Sequence, residues 1–237
     1  MKTLRSTIVS LIVKKRFRFP PIAWEYVKPH FSQFGEDVAM EIFLDNKKNG
    51  FYVDVGAFHP IELSNTYKLY SRFNWRGINV EPNGENFILF EKYRPRDINI
   101  QAAVSGTEGY WDYYRFEAAT FNTLSKTRAD QLQQQGFPYS TEKIQVLPLA
   151  KLLARYLPAN QNIDLMSVDC EGHDLEVLTS NDWTKYRSEL VMVEDHSEEM
   201  ATPTVNYMKG IGYAFVNWVG LTKMFKNEQT INARPVE

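Results

Sequence analysis

Two acids sit at the ends of short apolar runs: Asp54 in Phe51-Tyr52-Val53-Asp54-Val55-Gly56-Ala57, and Glu81 in Gly77-Ile78-Asn79-Val80-Glu81-Pro82. Each run reads as a buried strand, and the first enters a glycine turn at Gly56. The acids are roughly 27 residues apart, the separation at which a βαβ unit presents both strand ends to one nucleotide-like ligand. A carboxylate ending the second strand can accept from both ribose hydroxyls and would repel a 2′-phosphate, which counts against NADP more firmly than against NAD.

A second group of ionisable residues follows two later apolar runs, in Val168-Asp169-Cys170-Glu171-Gly172-His173 and Val193-Glu194-Asp195-His196. Carboxylates and imidazoles at strand ends can remove a proton from a hydroxyl. His196 or Asp169 is the expected base, with Glu171 and Glu194 binding hydroxyls or orienting that base. If the strand runs on to Glu171, alternation puts Asp169 and Glu171 on one face and turns Cys170 into packing. The same alternation pairs Glu194 with His196. These ligand types also suit Mg²⁺ or Mn²⁺, held by Asp169, Asp195 and His196, which would lower the pKa of a bound hydroxyl. His173 reads as a solvated first-turn residue and His30 as part of a linker. His59, in the turn after Gly56, either faces the site or stabilises the turn.

The pattern that positions these residues alternates strand and helix. It predicts a helix over 34–44, a strand over 51–55, a helix over 64–73, a strand over 77–81, a helix over 85–93 and a strand over 98–104. Residues 105–147 break the rhythm. Gly106, Gly109, Gly136 and Pro138 punctuate aromatic runs there, which predicts an inserted hairpin and a polar loop near Gln131 to Gln135. Trp111 and Tyr114 are its candidate sugar-stacking platforms. Helix 148–156, strand 163–168, helix 173–179 and strand 189–193 follow. Thr202 then N-caps a helix that Pro203 opens, and residues 213–225 read as two strands joined by a tight turn. The expected fold is α/β, a seven-stranded mixed sheet with helices on both faces and a C-terminal β-hairpin. A dehydrogenase would more often close with another βαβ crossover.

At 237 residues, 43% hydrophobic and 24% charged, the chain can build one sizeable core. A net charge of −2 gives no pull toward nucleic acid. Residues 1–30 carry seven basic side chains against Glu25, so they total +6 and the remainder −8. The expected plan is a basic arm over 1–30 and a catalytic domain over 31–237. The apolar run Ile8 to Val13 is too short to span a bilayer, and no small-residue cleavage site follows it. A peripheral membrane contact through the arm is the functional reading, a loosely ordered arm the plainer one. One cysteine, Cys170, fits a reducing cytoplasm.

Over residues 31–196 the chain resembles the FkbM-type S-adenosylmethionine-dependent methyltransferases. The resemblance rests on Ser32-Gln33-Phe34-Gly35-Glu36-Asp37, Tyr52 to Ala57, Ser64-Asn65-Thr66, Val80-Glu81-Pro82, Val168 to Gly172, and Val193 to His196. It implies the Rossmann-like class I fold and O-methylation of a sugar or glycan hydroxyl, free or lipid-linked, or of a related natural product. It also implies that Gly56 lets the backbone approach the methionine part of the cofactor while Asp54 meets its amino group. Glu81 would hold the ribose, and Gln33 and Gly35 would close over the methionine end. Ala57, Asn65, Pro82 and Ala103 complete the implied cofactor contacts. Pro60 and Ser167 depart from the family, which often has glycine and lysine there; the proline suits a helix start. Two other classes remain in view. An NAD-dependent oxidoreductase or epimerase predicts further glycines after Gly56, which are absent, and a Tyr-x-x-x-Lys pair downstream. A non-catalytic tether for glycan enzymes predicts no need for Asp54, Gly56 and Glu81.

Overall fold

The computed structural model describes residues 30–232. Helix α1 (Glu36–Phe43) precedes β1 (Phe51–Val55), and α2 (Tyr67–Arg72), β2 (Arg76–Val80), α3 (Gly84–Tyr93) and β3 (Ile98–Ile100) complete a βαβαβ half. The second half contains α5 (Leu149–Tyr156), β7 (Ile163–Val168), α6 (Asp174–Thr179), β8 (Ser188–Glu194), α7 (Pro203–Gly210), β9 (Tyr213–Val219), β10 (Thr222–Asn227) and α8 (Glu228–Asn232). Between the halves lie β4 (Ala103–Val104), β5 (Gly109–Phe116), a 3₁₀ turn (Ala119–Phe121), α4 (Lys126–Gln134) and β6 (Tyr139–Leu147).

The main sheet has the order β3-β2-β1-β7-β8-β10-β9. Its first five strands are parallel, and β10 runs antiparallel to both β8 and β9. This is the class I methyltransferase arrangement, with the expected terminal hairpin. Alternation divides the core between the two faces. Val53, Val55, Met166 and Val168 pack beneath α5, α6 and α7, whereas Tyr52 and Leu165 turn toward Met40 of α1 and Leu69 of α2. Helices therefore cover both faces. In the register, Val55 pairs with Val80 on one side and Val168 on the other. Gly56, Glu81 and Asp169, one residue further on, thus emerge together at the carboxyl edge.

Several expectations need correction. The run 98–104 is not one strand: β3 ends at Ile100, and β4 joins a separate three-stranded sheet of order β4-β6-β5. The insertion does contain an antiparallel pair, β5 and β6, but the connection between them is helical. Gln131 to Gln134 lie in α4, capped by Ser125, whose Oγ accepts from the Arg128 amide. Pro60 starts no helix, since α2 begins at Tyr67. The strand β7 stops at Val168, and Glu171 takes a left-handed φ of 50°, so strand alternation does not set the Asp169, Cys170 and Glu171 directions. Cys170 nevertheless packs against the core under the sheet. Thr202 caps α7 as expected, its Oγ1 accepting from the Val205 amide.

Among the described residues no helix is long and apolar enough to cross a membrane. The basic arm, apart from His30, lies outside the described residues, and His30 itself contacts the Ser32 carbonyl through Nδ1.

Candidate active site

A cleft, partly open to solvent, lies over the carboxyl edge of the sheet. That is the place where open α/β sheets bind ligands. Asp54, Gly56, Ala57, Asn65, Glu81, Pro82, Ala103 and Gln33 all line it, as do Asp169, Glu171 and Glu194. Gly35 is not among its lining residues. It sits at the N-terminus of α1 with φ 91°, its carbonyl accepting from Val38 and Ala39, so its place is a helix start.

The turn after β1 depends on Gly56. Its φ is 75°, and a Cβ there would lie 1.8 Å from the Asp169 carbonyl oxygen. Only glycine allows that approach. The Gly56 and Ala57 amides both donate to the Val80 carbonyl, and the Asp169 amide donates to Val55. The three strand ends are thereby tied together.

Asp54 is buried, with Oδ2 accepting from Thr66 Oγ1 at 2.6 Å. Burial pushes its pKa up, while the hydrogen bonds from Thr66 and Ser167 and the positive charge of Arg94 pull it down. Glu81 is buried too. One oxygen accepts from the Phe58 amide and the other from the Asn83 amide, both at 2.8 Å. Its pKa rises to about 8 because burial outweighs those two bonds. Asn65 donates to Ser167 Oγ at 3.3 Å, so the departure at Ser167 places a small hydroxyl between the two acid groups of the cleft.

Asp169 and Glu194 lie close together in the cleft. Burial and the neighbouring Glu194 charge push Asp169 well up; burial and Glu171 raise Glu194 to about 7. Both are thus pushed toward the protonated form, and near neutral pH one proton can serve the two acids. Glu194 Oε2 is buried without a hydrogen bond. His196 Nε2 comes within 3.3 Å of it, inside ion-pair range but off the hydrogen-bonding direction. Glu171 is raised by burial, an effect the nearby His196 opposes.

Asp195 does not join this group. Its Oδ2 accepts from Lys223 Nζ at 3.0 Å and Thr202 Oγ1 at 2.6 Å, and its Oδ1 accepts from the Ser197 amide. The expected metal set of Asp169, Asp195 and His196 is therefore not assembled. Among the described residues the donor atoms that approach one another are those of Glu171, Glu194 and His196, all within 4.8 Å.

Other placements differ from expectation. His59 stabilises its turn, Nδ1 accepting from the Ile61 and Glu62 amides. His173 lines the cleft instead of facing solvent. Trp111 packs within the small sheet, and Tyr114 packs against α4; Tyr113 is the insertion's tyrosine that reaches the cleft, beside Asn122 and Thr123. The Tyr139 to Lys143 spacing, which an oxidoreductase would require, lies on β6. Tyr139 meets Asp130 and Lys126, and Lys143 meets Asp112, all outside the cleft. Asp174 was not anticipated. Its carboxylate accepts from the Cys170 and Gly172 amides and holds the turn that carries Glu171. The signal for it is its position at the head of α6, two residues after Gly172.

The sequence profile of the Methyltransferase FkbM domain matches residues 54–215, more than half of the chain. The protein is a methyltransferase, and it belongs to the FkbM family. No curated protein matches the chain. Among solved structures, one from Haemophilus influenzae described as a methylase is 10% identical, covering 84% of this chain and 90% of its own, with a TM-score of 0.45. A precorrin-6y C5,15-methyltransferase from Geobacter metallireducens is 12% identical, covering 80% of this chain and 84% of its own, with a TM-score of 0.42.

Proposed function

We propose that this methyltransferase moves a methyl group from S-adenosylmethionine to a hydroxyl of a neutral sugar or glycan. The observation that carries this reading is the joining of two unlike acid groups in one cleft. Asp54 and Glu81 stand over β1 and β2, and the proton-sharing Asp169 and Glu194 stand over β7 and β8.

The donor set fits the cofactor. Asp54 offers a carboxylate to an ammonium, and Glu81 offers oxygens, already fixed by two backbone amides, to ribose hydroxyls. Gly56 and Ala57 line the cleft beside the two acids, with Asn65, Pro82 and Ala103 on the surrounding wall. When bound, S-adenosylmethionine supplies the electrophilic methyl.

What remains for the chain is to hold the acceptor in line and remove its proton. Burial and the Glu194 charge favour the protonated form of Asp169, which leaves Glu194 as the member of the pair that accepts a proton, ionised above about pH 7. The nearby His196, whose side chain is 58% exposed, can pass that proton to solvent. Glu171 and Asn122 are placed to bind neighbouring hydroxyls. No lysine or arginine is among the described residues lining the cleft. A phosphate, sulfate or carboxylate at the reacting end would meet Asp169, Glu171 and Glu194 with neither a lysine nor an arginine among the described lining residues to answer it, which favours an uncharged polyol.

Incubation with methyl-labelled S-adenosylmethionine and a panel of neutral, amino and acidic sugars, free and lipid-linked, tests the reading. Label appearing as a methyl ether on a neutral sugar is expected. Label on nitrogen, or on acidic sugars alone, would contradict it.

A further inference from the structure

Arg94 is the most unusual buried group of the fold. It ends α3, is wholly inaccessible to solvent, and touches no carboxylate directly. Its Nε donates to the Pro60 carbonyl at 2.8 Å and Nη2 to Ser64 Oγ at 2.6 Å. Nη1 donates to Thr66 Oγ1 at 2.7 Å and, at 3.3 Å, to Tyr52 Oη and Asn79 Oδ1. The rings of Tyr52, Tyr67, Tyr70 and Phe90 surround the guanidinium at 5.4–6.0 Å from their centroids. A charge this deep is costly unless its field is answered. The answer comes from Asp54 and Asp97, each reached through one hydroxyl: Thr66 donates to Asp54, and Tyr52 to Asp97.

A guanidinium has no acceptor. The Thr66 and Tyr52 hydroxyls, which accept from it, therefore turn their own hydrogens onward, to the carboxylates behind. The direction of the Thr66 hydrogen, and with it the hydrogen bond delivered to Asp54 Oδ2, is set by Arg94. The same side chain grips Pro60 and Ser64 at two points of the loop that carries Ala57, Phe58 and Asn65 into the cleft.

We propose that Arg94 is a positioning residue for cofactor binding: through Thr66 it orients and charges Asp54 for the ligand's ammonium, and through Pro60 and Ser64 it holds the loop between β1 and α2 against the cleft. This rests on the reading that the cleft takes S-adenosylmethionine. Pro60 then has a task of its own, presenting a carbonyl to Arg94. The groups whose charge Asp54 feels or affects are Arg94, Asp97, Glu81 and Tyr52. The Thr66 hydrogen bond and Arg94 both hold the Asp54 pKa down against its burial.

The test is calorimetric titration of the full chain, as wild type, Thr66→Val, Thr66→Ser and Arg94→Lys, with S-adenosylhomocysteine and with 5′-methylthioadenosine, which lacks the amino-acid end. Thr66→Val is expected to weaken S-adenosylhomocysteine roughly tenfold, leave methylthioadenosine unchanged, and be restored by Thr66→Ser. Removing the hydrogen bond raises the Asp54 pKa, so the loss of S-adenosylhomocysteine affinity on acidification moves to higher pH in Thr66→Val. Arg94→Lys keeps the charge but not the fork and should show the same preference, with its melting curve reporting folding. Should Arg94→Lys fail to fold, Thr66→Val decides. Equal weakening of both ligands in Thr66→Val, or no weakening, overturns the proposal while leaving the cofactor reading intact. Wild type binding neither ligand overturns both.

Discussion

A Cβ on Gly56 would lie 1.8 Å from the carbonyl oxygen of Asp169, whose carboxyl pKa is pushed well up by burial and by the neighbouring Glu194 charge. The acid that shares a proton is thus built directly against the turn proposed to carry the cofactor. Glu194→Gln cannot accept a proton, so its turnover should fall on the order of 100-fold or more, with S-adenosylhomocysteine affinity unchanged. Asp169→Asn keeps a donor beside Glu194 and should retain more activity than Glu194→Gln. The reverse order, measured in initial rates, would move the base to Asp169.

The acid limb of the rate profile follows from the same pair. Glu194 must be free of its proton, and its pKa is raised to about 7. The wild-type rate under subsaturating acceptor should therefore climb as pH rises through about 7 and then level. A profile flat from pH 5 to 9 would remove the pair from the rate-determining proton transfer.

Glu81 gives a prediction about binding alone. Its two oxygens are oriented by the Phe58 and Asn83 amides. Glu81→Ala should weaken S-adenosylhomocysteine by about 1–3 kcal/mol, the usual cost of leaving buried hydrogen-bonding groups without their partner. Unchanged affinity in a titration would take Glu81 away from the ribose.

Stability should depend on pH in the direction opposite to that of a salt-bridged acid. The folded chain raises Glu194 from 4.5 to about 7, so it holds that proton more firmly than the unfolded chain does. The stabilisation is complete below pH 4.5 and is lost as pH rises to about 7. At its steepest the loss is about 1.4 kcal/mol per pH unit. Denaturation of wild type and Glu194→Gln in parallel isolates this group: the wild type should lose stability relative to the variant over that window. A constant difference would contradict the raised pKa.

Local pattern and physics made much of this site legible, and nonlocal packing hid the rest. Asp54 and Glu81 could be read because their strands are continuous apolar runs that end on acids, and Asn65, Pro82 and Ala103 fell on the cleft wall as the motifs imply. The run Ile98 to Val104 looked like one strand because both sheets bury apolar residues; nothing in it marks the change of sheet after Ile100. The glutamine-rich stretch concealed a helix because only Ala129 and Leu132 of α4 are buried, although Ser125 was a readable cap. Asp195 was drawn away by Lys223, a fully buried lysine on a strand 28 residues later. Arg94 carried no local signal at all. Its importance arises where α3, β1, β2 and the loop before α2 meet.

The most direct measurement is calorimetric titration of the purified protein with S-adenosylhomocysteine and, separately, with NAD. The arrangement of Asp54, Gly56 and Glu81 predicts a single saturable site for S-adenosylhomocysteine in the micromolar range and no measurable heat from NAD. Binding of NAD in its place, or of neither ligand, would contradict the assignment of this cleft to methyl transfer from S-adenosylmethionine.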